Sequence, residues 1–280
     1  MTDSFAEAVG SSAAQRASGS SFYTAMRILP RDEREAMFEI YAFCRAVDDV
    51  ADDPGPKAPR VAALARWRAD VNALYANNPP RRLQGLAVPI IRFALKREDF
   101  LSIIDGMEMD VVSTIRAPDL ATLDLYCDRV ASAVGRLSVR VFGMEEVAGV
   151  SLAHHLGRAL QLTNILRDLD EDAGMGRLYL PREALTAAGI ADTDPAKVLD
   201  HPGLANACAP VIQRARGHFR DADAIMDQSP RRTVRAPRIM GEAYRLILDG
   251  LVARGFNPPR RRVRVPRARL IWIIMRYALR

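Results

Sequence analysis

The stretch that decides the fold reads Tyr41-Ala42-Phe43-Cys44-Arg45-Ala46-Val47-Asp48-Asp49-Val50-Ala51-Asp52-Asp53. Side chains three or four residues apart in such a stretch share one face of an α-helix. One face here is polar and aromatic, and it carries Tyr41, Arg45, Asp48 and Asp52. The neighbouring face is apolar, and it carries Ile40, Cys44, Val47 and Ala51. The stretch therefore predicts an amphipathic helix that ends in a pair of carboxylates.

A second carboxylate pair with the same spacing follows 120 residues later, in Asp168-Leu169-Asp170-Glu171-Asp172. The stripe that leads to it runs in steps of four, through Leu160, Asn164, Asp168 and Asp172. Residues at i and i+4 on a helix have Cβ atoms about 5–6 Å apart. Both pairs therefore place two carboxylates side by side at the end of a predicted helix.

Both pairs lie where a helix tolerates acids poorly. Pro54 follows the first pair and Gly174 the second, so the acids occupy last turns, where the helix dipole disfavours each carboxylate by about 0.3–1 kcal/mol. Like charges at i and i+4 add about 0.2–0.5 kcal/mol. Mg²⁺ would offset this repulsion, because it binds a few carboxylates together with substrate phosphates. Two facing pairs would hold Mg²⁺ around a diphosphate; the alternative is two solvated acidic helix ends.

The remainder of the chain predicts an all-α protein. Proline-free windows at residues 31–53, 90–117, 119–180, 211–229 and 238–257 carry helical periodicity, and no strand alternation with hairpin signals accompanies it. We expect one domain over residues 1–280, with a poorly ordered Ser/Ala-rich segment at 1–18 and a basic tail at 258–280.

Composition excludes several classes of protein. Of the 280 residues, 49% are hydrophobic and 26% charged, which is typical of a globular protein. Three widely spaced cysteines exclude a disulfide framework and indicate a reducing compartment, and no secretory signal is visible, so we expect a cytoplasmic location. His154 and His155 are adjacent; on a helix their side chains diverge by about 100° and make a poor metal pair.

The positive charge is concentrated at the C-terminus. Residues 250–280 contain nine arginines and no acidic residue, whereas the whole chain has a net charge of +6, so the preceding part is slightly acidic. This distribution argues against a nucleic-acid partner. The tail from Arg267 to Tyr277 also carries Trp272. It either lies on an anionic membrane surface, which would place the protein peripherally on the inner membrane, or docks on the body of the protein.

Three motifs in this sequence resemble those of the squalene/phytoene synthase family. The first is Ser20-Ser21-Phe22-Tyr23, with Leu29-Pro30 and Tyr41 to Asp49. The second is Tyr126-Cys127 with Ala131, Val134 and Gly135. The third is Gln161-Leu162-Thr163-Asn164-Ile165-Leu166-Arg167-Asp168 with Glu171-Asp172 and Gly176-Arg177-Leu178-Tyr179-Leu180-Pro181. The likeness covers residues from about 18 to about 262.

The resemblance implies a class I isoprenoid synthase fold, an all-α helical bundle around a central cavity, and a head-to-head prenyltransferase. It implies Mg²⁺, or alternatively Mn²⁺, as the metal. The implied metal ligands are Asp48, Asp52, Asp168 and Asp172, assisted by Asn164. The implied substrate-binding residues are Ser21, Arg45, Gln161, Asn164, Arg167, Arg177 and, from a looser alignment, Arg261. The implied catalytic residues near the reacting carbons are Tyr41, Tyr126 and Tyr244.

Within the family, the chain looks most like bacterial members of hopanoid biosynthesis that join two farnesyl diphosphates and stop at the cyclopropyl intermediate. The resemblance rests on the Met107-Glu108-Met109-Asp110 run and the loop from Gly174 to Pro181. NADPH is then not expected. Alternatives are a phytoene- or dehydrosqualene-type synthase, an NADPH-dependent squalene synthase and, outside enzymes, a helical protein that binds membrane surfaces.

Overall fold

The structure, a computed structural model, describes residues 26–113 and 115–278. Its α-helices are α1 (Arg31–Asp52), α2 (Lys57–Tyr75), α3 (Ala87–Arg92), α4 (Arg97–Val112), α5 (Leu120–Cys127), α6 (Ala133–Val141), α7 (Glu146–Arg167), α8 (Leu169–Gly174), α9 (Arg182–Ala187), α10 (Pro195–Leu199), α11 (Leu204–Gln228), α12 (Arg235–Arg254) and α13 (Arg267–Ala278). A 3₁₀ turn precedes α3, and a π-turn at Asp128–Ser132 joins α5 to α6. The expected disorder of residues 1–18 lies outside the described residues.

The prediction of an all-α protein is confirmed. Within the two described ranges no β-strand forms, and the β-type pairing is confined to one isolated bridge between Arg116 and Leu178. That bridge holds the loop before α5 against the loop after α8, with Ala117 N donating to Leu178 O at 2.9 Å. None of the described helices is both long and apolar enough to cross a lipid bilayer.

Helix α1 is held by its apolar face, as its periodicity predicts. It begins after Pro30, and Asp32 and Glu33 in its first turn complement the helix dipole. Its buried face packs into the N-terminal core, where Phe43 makes edge-to-face contacts with Trp67 and Phe100 at centroid distances of 5.7 and 5.1 Å. The charged residues of the polar stripe, Arg45, Asp48 and Asp52, are thereby turned toward a cavity, whereas Tyr41 also packs partly against this core.

The second acidic motif departs from the predicted single helix. Helix α7 ends at Arg167, and Asp168 leaves helical geometry (φ −102°, ψ 18°) before α8 begins. The backbone nevertheless keeps four-residue spacing across the break, because Asp168 N donates to Asn164 O at 2.9 Å and Asp172 N donates to Asp168 O at 2.8 Å. The stripe from Asn164 to Asp172 therefore survives the interruption.

Helix α7 lies at the centre of the molecule. It packs against α6, α11 and α12 and against the π-turn at Asp128–Ser132. One hydrophobic core forms around α7 and α11, and another forms around α1, α2 and α4. Val130 in the π-turn packs against both cores. At the C-terminus, α13 docks on α12 through Ile273, which contacts Ile239 and Met240.

A close backbone approach fixes α7 against the π-turn. A Cβ atom at Gly157 would lie 2.8 Å from both the Cα and the N of Ser132. These are backbone atoms, so they cannot rotate away as a side chain would. Glycine at position 157 thus sets the distance between α7 and the helix formed by residues 120–141.

We expect Gly157→Ala to destabilise the protein. The added methyl overpacks this contact, which typically costs about 1–3 kcal/mol, and outweighs the gain of up to about 1 kcal/mol from alanine's helix propensity. Gly217→Ala in α11 is the matched control, because the nearest atom to its new Cβ would be an Arg220 nitrogen 3.8 Å away. Thermal unfolding followed by circular dichroism should show opposite shifts for the two variants. A Gly157→Ala protein as stable as wild type would contradict this account of the packing.

Candidate active site

A cavity of about 1050 Å³ lies among α1, α4, α6, α7 and α12. Part of its wall is apolar, with Val134, Leu156, Met240 and Ile247 among the lining residues. The other part is charged and comes from both acidic motifs, α4, and the segment before α13. A wall divided in this way suits a ligand with a long apolar body and a charged head group.

The structure brings almost all predicted site residues to this cavity. Lining it are Tyr41, Arg45, Asp48, Asp52, Tyr126, Gln161, Asn164, Arg167, Asp168, Asp172, Arg177 and Tyr244. Arg261 does not line it: its side chain is exposed, whereas the neighbouring Arg262 lines the cavity. Ser21 lies outside the described residues.

One ion pair joins the two acidic motifs directly. The Arg177 guanidinium donates to Asp52 Oδ1 at 2.7 Å and to the Ala51 carbonyl oxygen at 2.8 Å. Arg177 follows the second motif, and Asp52 ends the first, 125 residues earlier. The Arg177 side chain is only 9% exposed, so water competes little for this contact. The two motifs therefore face the same volume.

Other arginines approach the remaining carboxylates. On α1, Arg45 pairs with Asp48 at 3.1 Å and with Asp49 at 3.0 Å. At the end of α7, Arg167 pairs with Asp168 at 2.6 Å. Because these guanidinium groups lie on the cavity wall, they both offset the negative charge and offer donors to an anionic ligand.

The C-terminal segment returns to the second motif. Arg262 contacts Asp168 at 3.5 Å and Glu171 at 3.3 Å. Arg260, two residues earlier, pairs with Asp170 at 2.7 Å and is almost completely buried. The basic tail is thus divided: its first part belongs to the site, and α13 lies beyond it.

Crowding of the carboxylates changes their acidity. Desolvation in the cavity and the neighbouring Asp52 raise the pKa of Asp48 to about 6. Desolvation and the neighbouring Asp168 raise the pKa of Asp172 to about 8. Asp110 on α4 contributes to both shifts. These groups strongly favour an added positive charge, which a proton or a cation can supply.

The donor set fits a hard divalent cation. The side-chain oxygen of Asn164 is buried and accepts no hydrogen bond from any described residue, while its amide nitrogen donates to Gln161 Oε1 at 3.4 Å. An unpartnered buried oxygen is costly in a folded protein, and here it accompanies four aspartates on one cavity wall. Carboxylate and amide oxygens are ligands that Mg²⁺ accepts.

Asp110 and Tyr179 are site residues that the sequence reasoning missed. Asp110 is 8% exposed and accepts hydrogen bonds from the Tyr126 hydroxyl at 3.0 Å and the Tyr179 hydroxyl at 2.7 Å. The two tyrosine rings stack with centroids 4.8 Å apart. A signal was present, because Asp110 continues the buried stripe of Ile103 and Met107 on α4.

The tyrosines predicted to be catalytic lie on three different helices. Tyr41 is on α1, Tyr126 on α5 and Tyr244 on α12, and all three line the cavity. Tyr244 interacts with Arg167, and Tyr126 is held by Asp110. The aromatic groups therefore stand next to the charged part of the wall rather than in a remote apolar core.

The sequence of this chain is similar to those of known proteins. Residues 15–269 match the family profile described as squalene/phytoene synthase. A presqualene diphosphate synthase of Sinorhizobium fredii is 60% identical over 261 residues, covering 93% of this chain and 94% of the relative.

Two solved structures share the fold. A dehydrosqualene synthase aligns with a TM-score of 0.85 at 23% identity, over 98% of this chain and 96% of the other. A squalene synthase of Alicyclobacillus acidocaldarius aligns with a TM-score of 0.78 at 27% identity, over 88% of this chain and 92% of the other. The predicted isoprenoid synthase architecture is thereby confirmed.

We expect Asp172→Asn to stabilise the metal-free protein at high pH. The pKa of Asp172 is raised from its usual 3.8 to about 8, so the folded protein retains a proton that the unfolded chain loses near pH 4. The carboxyl therefore weakens folding progressively as pH rises from about 4 to 8. Asparagine does not titrate, so its advantage should grow with pH to a melting-temperature gain of at least about 2–4 °C at pH 8, which corresponds to about 1 kcal/mol.

Melting curves in EDTA at pH 5 and pH 8 measure this difference. Asp200→Asn is the control, since Asp200 is exposed and does not line the cavity. A gain in melting temperature that is equal at the two pH values, or equal in the two variants, would contradict the explanation from the raised pKa of Asp172.

Proposed function

The chain belongs to the squalene/phytoene synthase family, and on that basis we propose that it condenses two farnesyl diphosphates head to head to presqualene diphosphate, releasing one diphosphate. The presqualene diphosphate synthase relative, 60% identical over nearly the full length of both chains, supports this product. The observation that carries the proposal is the contact between Arg177 and Asp52, which joins the two acidic motifs across one cavity.

The charged wall would bind and stabilise the diphosphates. We assign the metal sites to Asp48, Asp52, Asp168 and Asp172, with the free oxygen of Asn164 as a further ligand, and Mg²⁺ or alternatively Mn²⁺ as the ion. When bound, such ions neutralise the charge that develops on a departing diphosphate.

Arginines would complete the diphosphate site. Arg45 and Arg177 already face the acidic pairs, and forked guanidinium groups suit phosphate oxygens. Gln161 and Arg167 lie on the same wall. We assign to Arg262 the contact that the sequence assigned to Arg261, because Arg262 lines the cavity and reaches Asp168. These groups would orient the allylic C–O bond that breaks.

The apolar wall would protect the cation that remains. Loss of diphosphate leaves an allylic carbocation, which water would capture in an open site. Tyr41, Tyr126 and Tyr244 present aromatic groups to the cavity, and an aromatic face stabilises a nearby cation. The double bond of the second farnesyl diphosphate then attacks, and loss of one proton closes the cyclopropane. The released diphosphate and a cavity tyrosine are the two candidate proton acceptors.

We expect purified protein with farnesyl diphosphate and Mg²⁺, without NADPH, to form presqualene diphosphate and one equivalent of diphosphate. Product extraction before and after phosphatase treatment, followed by mass spectrometry, measures this outcome. A C30 hydrocarbon formed without reductant would point instead to a phytoene- or dehydrosqualene-type synthase. Squalene formed only with NADPH would indicate a reductive squalene synthase, and no turnover would favour the non-enzymatic alternative.

Asp168→Asn tests the metal assignment within the same assay. It removes a proposed ligand and the partner of both Arg167 and Arg262, so turnover should fall at least about a hundredfold. Asp200→Asn, outside the cavity, should retain wild-type turnover. Full activity of Asp168→Asn with normal folding would remove Asp168 from the site.

We also propose that α13 makes a peripheral contact with anionic membrane. Its buried side is anchored by Ile273, but Ile271, Trp272 and Met275 are each more than half exposed. The guanidinium groups of Arg269 and Arg276 lie 5.6 and 5.4 Å from the Trp272 ring. Exposed apolar groups flanked by arginines suit the interface of an acidic bilayer, where a C30 product would partition.

We expect the double variant Trp272→Gln, Met275→Gln to float less with anionic vesicles than wild type, because it removes apolar area from this face. Neutral vesicles should bind both proteins weakly. Val88→Gln with Ile91→Gln is the matched control, since these residues on α3 are 68% and 79% exposed but lie far along the chain from the basic tail. Equal flotation of all three proteins would refute the membrane contact. Truncation before Arg260 is less informative, because it also removes Arg262 from the cavity.

A further inference from the structure

Three of the four histidines of the chain meet on the side of α7 that faces away from the cavity. The adjacent pair on α7, which by itself makes a poor metal pair, thus gains a third imidazole from α11. His154 and His155 lie on α7, and His218 lies on α11. One ring nitrogen from each falls within 4.8 Å of the others, and the Nδ1 atoms of His155 and His218 are 3.1 Å apart. None of the three lines the cavity, although Ala153, Leu156 and Gly157 of the same helix do.

A carboxylate completes the group. Asp221, one turn after His218 on α11, places Oδ2 3.4 Å from His155 Nδ1. Its side chain is 58% exposed, so it can rotate about its own bonds toward a ligand shared with the histidines. Three imidazoles and one carboxylate form a complete set of donors for a four-coordinate transition metal.

The spacing of two of the rings disfavours a positive charge on both. Two Nδ1 atoms 3.1 Å apart can share one proton but strongly resist carrying one each. Burial, followed by the proximity of His155, lowers the pKa of His218 to about 4. Neutral imidazole with a free lone pair is the ligand state of histidine, and two rings at this distance favour that state over a pair of imidazolium ions.

We propose that His154, His155 and His218, with Asp221, form a site for a divalent transition cation of the Zn²⁺, Co²⁺ or Ni²⁺ class. Zn–N distances of about 2.0–2.1 Å in tetrahedral geometry place ligand nitrogens about 3.3 Å apart. The separation of His155 and His218 is already close to this value, and the wider separations, up to 4.8 Å, would close by side-chain rotation on metal binding. Imidazole donors favour these ions over Mg²⁺, so this site differs in chemistry from the carboxylate-rich cavity.

Two arginines near the histidines would repel a cation if their charge were not balanced by carboxylates. Arg158 and Arg214 are the positive charges that act on these histidines. Arg158 is paired with Asp124 at 2.9 Å and with Asp128 at 3.2 Å, and Arg214 is paired with Asp124 at 3.1 Å. Their charge is therefore largely compensated, and the remaining uncompensated carboxylate beside the histidines is Asp221.

Occupation of the site would cross-link two central helices. Helices α7 and α11 form much of one hydrophobic core, and α7 continues toward Gln161, Asn164 and Asp168 in the cavity. A bound cation would therefore stabilise the folded state from outside the cavity, by an amount that rises with the logarithm of its affinity.

Titration of the full-length protein with Co²⁺, in saturating Mg²⁺, tests the proposal. We expect one equivalent to bind with visible absorption bands typical of tetrahedral coordination, and the melting temperature to rise. Changes in outer partners of metal ligands already weaken binding about 10–100-fold, so the double variant His155→Gln, His218→Gln should lose at least about tenfold in affinity. His201→Gln, which alters the fourth histidine, should bind Co²⁺ as wild type does.

Two further variants distinguish loss of the histidine site from misfolding, and binding at the histidines from binding in the cavity. His154→Gln changes a more accessible side chain and tests the site if the double variant folds poorly; it too should weaken Co²⁺ binding. Asp168→Asn should leave the absorption bands unchanged, which would place the ion outside the cavity. Absence of tetrahedral Co²⁺ in wild type, or equal affinity in wild type and the histidine variants, would overturn the proposal.

Discussion

Repulsion among carboxylates in one cavity is the constraint on which the rest of the structure depends. Asp48, Asp52, Asp110, Asp168 and Asp172 all line it. Burial first, and then the neighbouring carboxylates, raise the pKa values of Asp48 and Asp172. The ion pair between Arg177 and Asp52 relieves part of that repulsion and ties the two motifs to each other. The remaining negative charge is what a cationic ligand would relieve.

The acids can be held so close because other faces of the same helices are anchored. Helix α1 packs through Phe43 on Trp67 and Phe100, and α7 is set against the π-turn through Gly157. Hydrophobic burial thus holds the carboxylates of the cavity close together, although their mutual repulsion favours greater separation. Such sites commonly lower stability in exchange for function, which explains why replacing Asp172 should strengthen the metal-free protein.

Helix α7 carries different chemistry on its two sides. Its cavity side leads through Gln161 and Asn164 to Asp168, where oxygen donors face a divided charged and apolar space. Its outer side presents His154 and His155 to His218 on α11. Hard oxygen ligands and imidazole ligands select different cations, so the same helix can serve two sites without competition between them.

The sequence by itself determined the helical fold and the two carboxylate stripes. Helix periodicity is local, so the spacing of residues such as Tyr41, Asp48 and Asn164 shows which of them share a helix face. The family resemblance added Arg177, Tyr126 and Tyr244. Only the tertiary structure decided that Asp110 and Tyr179 join the site, that Arg262 rather than Arg261 reaches the cavity, that α7 breaks at Asp168, and that His218 joins His154 and His155. Each of these depends on contacts between segments far apart in the chain or on a local break in the helix, and no spacing within one helix encodes such an encounter.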